Sequence, residues 1–264
     1  MRLILRFDFY LTFGSSQTKK LFLMASSTET GHAKNIGNSF LLNQKLTGFG
    51  VDYAPSNALI VLATMILQQD ACNTLQLAVN TESGIFKPLV NSRKDLYKTV
   101  KPLVRRVRSA AVNSGASDSF VADVNTVAKK ILGERASAAT ATTVDPAGTS
   151  SSQQSFDNTT NNFFALVALL ETEAAYSPSK ADLKIAALKL KYTELNDANN
   201  AVKVGATPYN LAVSNRNKGL YKTKTGLCDV CQSAKDEVRS TFGFSSPEFK
   251  LVSKIKFTKL AKVD

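Results

Sequence analysis

Few side chains in this sequence could do chemistry. Cys228 and Cys231 form a CxxC pair, and with Cys72 and His32 they would complete a Cys3His zinc set on paper. The same CxxC could cycle between dithiol and disulfide. A Ser–His–Asp or Cys–His nucleophile would have to use His32, the one histidine, and no GxSxG or comparable context surrounds it. Glu171/Glu173 and Asp236/Glu237 pair carboxylates, but in stretches that read as solvated helix faces. No GxxxxGK[ST], no dinucleotide-type GxGxxG and no EF-hand loop is present. No catalytic, cofactor-binding or metal-ligating residue is therefore assigned, and the chain reads as non-enzymatic.

Charge offers a second kind of chemistry. The 264 residues carry 33 Lys and Arg against 21 Asp and Glu, a formal net charge of +12. The excess is concentrated in 1–23, 93–108 and 250–264. In 93–108, Arg93, Lys94, Lys98, Lys101, Arg105, Arg106 and Arg108 face only Asp95. Lys94, Lys98, Lys101, Arg105 and Arg108 recur every three or four residues, so one continuous helix would array them along an edge of about 21 Å. Such an edge could neutralise phosphates without reading bases. It lacks interleaved aromatics and any helix-turn-helix or RRM signature. These five residues are the candidate polyanion site, and a solvated face is the competing expectation.

The elements that must position these residues come from an internal repeat. At an offset of 123, Asn35, Asn38, Phe40, Tyr53, Pro55, Ser56 and Val79 return as Asn158, Asn161, Phe163, Tyr176, Pro178, Ser179 and Val202. After one inserted residue near Gly205 the offset becomes 124, and Asn91, Lys94, Leu96, Tyr97, Lys98 and Thr99 return as Asn215, Lys218, Leu220, Tyr221, Lys222 and Thr223. The chain reads as a tandem duplication. The matching positions also test the cysteines. Cys228 and Cys231 align with Val104 and Val107, and Cys72 with Leu195, so all three are expected to be small core hydrophobes. The polyanion edge is not repeated: Lys101, Arg105 and Arg106 match Thr225, Asp229 and Val230.

Periodicity in each copy is helical. The expected elements of the first are a segment around 33–48, an apolar-periodic stretch from 57 to 80, and a third stretch in which Leu96, Val100, Val104, Val107 and Ala111 trace one face. A last helix starts near Ser117-Asp118, where either residue can cap. Pro55 and Ser56 are placed to turn and cap before the second helix. Pro102 and Gly226 occupy matching sites where a kink or break is expected. Tyr97 and Tyr221 are expected to pack their rings and expose their hydroxyls, with a polar site involving Asn91 and Asn215 as the alternative. The fold expected is all-α, with two tandem bundles of about four helices each. Its units are 28–134 and 155–260, joined by a flexible Ala/Ser/Thr-rich linker at 135–154, with a tail at 261–264. Arg6 and Asp8 interrupt the apolar start, and Met24 opens a second plausible beginning. Residues 1–27 are accordingly expected to lie outside the fold.

Thr28-Glu-Thr-Gly-His-Ala-Lys-Asn35, with the Tyr53-x-Pro-Ser56 and Tyr176-x-Pro-Ser179 junctions, resembles a family of duplicated all-helical proteins from Bacteroidota bacteria that open with a TETGHAKN-like string. The likeness runs from residue 26 onward and includes Leu220–Leu227 and Val252–Lys259. It implies a helical fold and a bacterial, cytoplasmic setting, and it carries over no active site. The 1–23 extension and the basic 98–108 segment depart from the family pattern. The function expected is a structural or protein-interaction module, engaging an unidentified protein or a second copy. The alternative is weak, sequence-independent nucleic-acid association through 93–108. No cofactor and no transmembrane segment are expected.

Overall fold

A computed structural model describes residues 31–134 and 154–259. The expected extension at 1–27, the tail at 261–264 and all of the linker but Gln154 lie outside the described residues. Among those described, the all-α expectation holds. The helices are α1 (His32–Gly48), α2 (Leu62–Lys98), α3 (Val100–Val112), α4 (Asp118–Leu132), α5 (Phe156–Glu171), α6 (Ile185–Tyr221), α7 (Leu227–Phe242) and α8 (Pro247–Ser253). Short 3-10 turns lie at Gly50–Asp52, Ala58–Ile60 and Ala181–Leu183.

Local chemistry sets most of the helix starts. Ser117 caps α4 by accepting from the Phe120 N–H at 3.3 Å, as the sequence suggests. Ser155 does the same for α5, and Ser246 for α8. At the first Tyr-x-Pro-Ser junction the capping group is Asn57 instead of Ser56, and it serves the 3-10 turn before α2. The junction tyrosines act as matching pins. Buried Tyr53 donates to the Ile60 carbonyl at 2.8 Å, and buried Tyr176 to the Leu183 carbonyl at 3.0 Å.

The second helix is longer than its expected 57–80. It merges with the stretch that follows, so α2 spans 37 residues, and so does α6. Both pass through an interior proline, Pro88 and Pro208, and both prolines are exposed, so the carbonyl each one frees can be solvated. Packing outweighs the propensity penalty because α2 and α6 lie antiparallel along their lengths. Tyr97 meets Leu195, Phe86 stacks on Tyr209, and Gly219 lies against Leu75 and Cys72. Gly205 permits the close approach, since a Cβ there would sit 2.7 Å from Leu89 Cδ1. At 1.5 Å per residue each helix is about 55 Å long.

The expected breaks are present, each just upstream of the residue that signalled it. The helix is interrupted at Thr99, which puts Pro102 in the first turn of α3, where its missing N–H costs no helical bond. Gly226 is the N-cap of α7, and a Cβ there would lie 2.6–2.9 Å from the backbone of Lys222 and Leu220.

The hydrophobic cores do not follow the expected division into separate bundles at 28–134 and 155–260. One core combines Leu42, Leu46, Met65 and Cys72 from the first half with Leu220, Cys231, Val238 and Val252 from the second. The other combines Val104, Val107, Val124 and Ile131 with Phe163, Leu170, Leu188 and Leu195. Each lobe therefore takes the front of one sequence unit and the back of the other. The physical reason is the continuity of α2 and α6: an unbroken 37-residue helix carries the chain out of the lobe where it started and into the other.

Candidate functional site

The five candidate cations do not share one continuous helix. Lys94 and Lys98 belong to α2, whereas Lys101, Arg105 and Arg108 belong to α3, beyond the break at Thr99. Lys98 is paired with Asp95 at 2.7 Å and Arg108 with Glu134 at 3.0 Å. Arg106, off the expected edge, holds Asp182 through two guanidinium nitrogens and lowers its carboxyl pKa chiefly by that hydrogen bonding. Lys94, Lys101 and Arg105 are exposed and make no ion pair among the described residues. Arg105, Arg108, Ser109, Val112, Asn113 and Glu134 line an open cleft of about 370 Å³. This cleft sits at the C-terminal end of α3, where helix-dipole charge is negative. That favours the arginines already there and disfavours an incoming anion.

The residue types that suggested nucleophilic or metal chemistry are occupied structurally. Cys72, Cys228 and Cys231 are 2%, 1% and 0% exposed, in the same core as Tyr53 and Met65. Their aligned partners Leu195, Val104 and Val107 are buried in the other core. Burial pushes the Cys72 thiol up to about 11 and the Cys228 thiol up to about 12, so neither is a thiolate near neutral pH. Burial raises Cys231 as well. Among the described residues no group of three or more His, Cys, Asp or Glu side chains could hold a metal ion. His32 lies at the start of α1, with Nδ1 2.8 Å from the Tyr221 hydroxyl. Desolvation, and then the charge of Arg216, lowers its pKa.

The tyrosine hydroxyls depart from their expected exposure. Tyr221 OH meets both His32 and Asn35, and Tyr97 OH donates to the Phe156 carbonyl at 3.2 Å and contacts Thr160 Oγ1. Asn91 and Asn215 are exposed and do not join either cluster. Arg93 covers the Phe156 ring at 4.0 Å, and Tyr97 meets the same ring edge-on. These contacts lock the ends of α2 and α6 to the starts of α5 and α1.

Sequence reasoning missed the fastening of the C-terminal segment. Asn35, 1% exposed, donates from Nδ2 to the Thr258 carbonyl at 2.7 Å and accepts from the Thr258 N–H at 3.0 Å. Asn38 donates to the Lys256 carbonyl, Lys235 donates to the Ile255 carbonyl at 2.8 Å, and Lys259 pairs with Asp229. Asn35 was already visible as a repeated residue. Its match at the 123-residue offset, Asn158, is exposed, and that asymmetry could not be read from aligning the two halves.

The arrangement can hold extended backbone and pack helices, and its surface can attract anions weakly. Among the described residues no helix is long and apolar enough to cross a membrane. No family model, no curated protein and no solved structure matches the chain.

Proposed function

We propose that this chain is a non-enzymatic structural or protein-interaction module, built by tandem duplication from two units that exchange their halves. The observation that carries this reading is the commitment of its chemistry-bearing side chains to the fold. The three thiols fill a core, His32 binds Tyr221, and Asn35 and Lys235 fasten the C-terminal segment. What remains free is shape: two lobes held at either end of a rigid pair of helices. A bacterial, cytoplasmic setting belongs to the same reading. It is supported by the TETGHAKN resemblance and by an odd number of cysteines, all three buried in a core, which do not read as a disulfide framework.

Affinity capture with the tagged full chain in its host, followed by reciprocal capture through the recovered protein, tests the proposal. A stoichiometric protein complex, or capture of untagged copies, is expected. A tightly co-purifying small molecule that the chain turns over would overturn it.

A second reading, weak sequence-independent binding of nucleic acid, is favoured by one observation. Lys94, Lys101 and Arg105 stay exposed without an acidic partner among the described residues. Gel-shift titration at low and physiological salt tests it, and binding that persists at physiological salt would move this reading ahead.

A further inference from the structure

The C-terminal segment lies in a groove walled by α1 and α7. From Ile255 to Lys259 its backbone makes one main-chain hydrogen bond among the described residues, from the Ile255 N–H to the Val252 carbonyl at 3.1 Å. Side chains of the walls hold the rest. On the α1 wall, Asn38 donates to the Lys256 carbonyl at 2.7 Å, and Asn35 takes both the N–H and the carbonyl of Thr258. On the α7 wall, Lys235 donates to the Ile255 carbonyl at 2.8 Å. The carbonyls of 256 and 258 thus face one wall and that of 255 the other, as extended backbone requires. The side chains alternate in the same way. Ile255 and Phe257 pack into the core, while Lys256 and Thr258 stay exposed.

The donors suit peptide backbone. Asn35 is 1% exposed and Lys235 is 8% exposed, and both are aimed at main-chain groups of the segment. A buried amide and a buried ammonium placed in this way hold a peptide by its direction and register, whatever its outward side chains are. Selectivity falls to the inward pair at Ile255 and Phe257, and to Asp229, which takes Lys259. The walls stand without the segment. Leu42 and Leu46 of α1 share a core with Cys231 and Val238 of α7, all at most 1% exposed. The segment follows the seven-residue α8 and leads into no further described element, so it can leave without unfolding another helix.

We infer that the α1–α7 groove is a binding site for an extended peptide of the pattern apolar-x-apolar-x-cation, and that residues 255–259 fill it in cis as a displaceable stand-in. This rests on the interaction-module reading and gives it a site and a kind of partner, a protein segment that carries the pattern in extended form. The seated segment shows the chemistry the partner must reproduce: two inward apolar side chains, a free run of backbone and one cation for Asp229. An empty groove would leave Asn35 and Lys235 without their main-chain partners, so exchange of one occupant for another is favoured over simple release. The tethered segment competes at an effective concentration on the order of millimolar. A free peptide of equal intrinsic affinity therefore binds the intact chain weakly, and binds tightly once the tethered segment is loosened.

Fluorescence anisotropy of a labelled peptide with the sequence of residues 252–259, titrated with the full chain, tests the inference. Wild type should bind it weakly. Phe257→Ser in the chain, which loosens the tethered segment, should tighten binding by about tenfold or more. Adding Asn35→Ala to that variant should weaken it again by about tenfold, and the Phe257→Ser peptide should not bind. Should either variant lose helical circular dichroism, two milder ones make the same comparison: Lys259→Glu loosens the segment at Asp229, and Asn38→Ala removes one wall contact outside the core. No peptide binding, binding that no loosening variant tightens, or binding indifferent to the wall variants would overturn the inference. Affinity capture of a protein through another surface would still stand in that case, so failure here is distinguishable from failure of the broader reading.

Discussion

Phe86 of α2 and Tyr209 of α6 stack with ring centroids 5.2 Å apart and planes 15° from parallel, each past the midpoint of its 37-residue helix. The stack marks a point where the two antiparallel helices meet face to face. Tyr53/Tyr176 and Cys72/Leu195 then fall at corresponding places on the two sides of the crossing. The proposed duplication explains why one chain makes two lobes of related construction. The crossing explains why neither lobe belongs to one half of the sequence.

The thiols should behave as core aliphatics. Replacing Cys228 and Cys231 together by valine, the residue at both aligned positions, should change stability by less than about 1.5 kcal/mol per site. In the native protein at pH 8 the three thiols should resist alkylation, because burial raises them all, and they should react on unfolding. Mass spectrometry after pulse alkylation reads this directly.

Asn35 and Asn158 should differ sharply despite their aligned positions. Asn35→Ala leaves the Thr258 N–H and carbonyl without their partner and should cost about 1–3 kcal/mol. Hydrogen exchange over 255–259 should accelerate. Asn158→Ala, at an exposed site, should stay within about 0.5 kcal/mol of wild type.

Much of the fold was legible before the structure, and the gaps have physical causes. The helical periods, the Ser117 cap and the core placement of the cysteines follow from local chemistry and from comparing the two halves. The length of α2 did not. Gly84 and Pro88 look like terminators, and only the α6 surface running alongside outweighs them. Which half pairs with which was invisible for a related reason: matching residues satisfy a core equally well whether the partner lies in their own unit or in the other. The candidate cations were legible as residues but not as a surface, because the break at Thr99 divides them between two helices and Asp95 and Glu134 engage two of them.

His32 gives the protein an acid-side sensitivity. Its folded pKa lies below 6.5, because burial and Arg216 disfavour the imidazolium. The unfolded chain therefore takes up the proton first as pH falls. The contribution is fully present above 6.5 and is lost as pH drops through the folded value. Proton NMR of the one imidazole should show the lowered titration. A His32→Asn variant should lose less thermal stability between pH 7 and pH 5 than wild type does.

The basic residues of α3 should be dispensable for folding. Lys101→Glu with Arg105→Glu should leave the melting temperature nearly unchanged, since neither makes an ion pair among the described residues. Any nucleic-acid retardation seen at low salt should disappear in that variant, and wild-type binding should fall steeply as salt rises. Arg106→Ala should leave the melting temperature nearly unchanged, because its pair with Asp182 is exposed and screened by solvent.

The interleaving of the two halves is tested most directly by cutting the chain between them. A protease site engineered within 135–153 should, once cleaved, leave two fragments that elute together from a sizing column as one particle of the original mass. They should unfold in one transition, since each core needs residues from both fragments. Two fragments that separate under native conditions, each retaining helical structure and its own cooperative melt, would contradict the account.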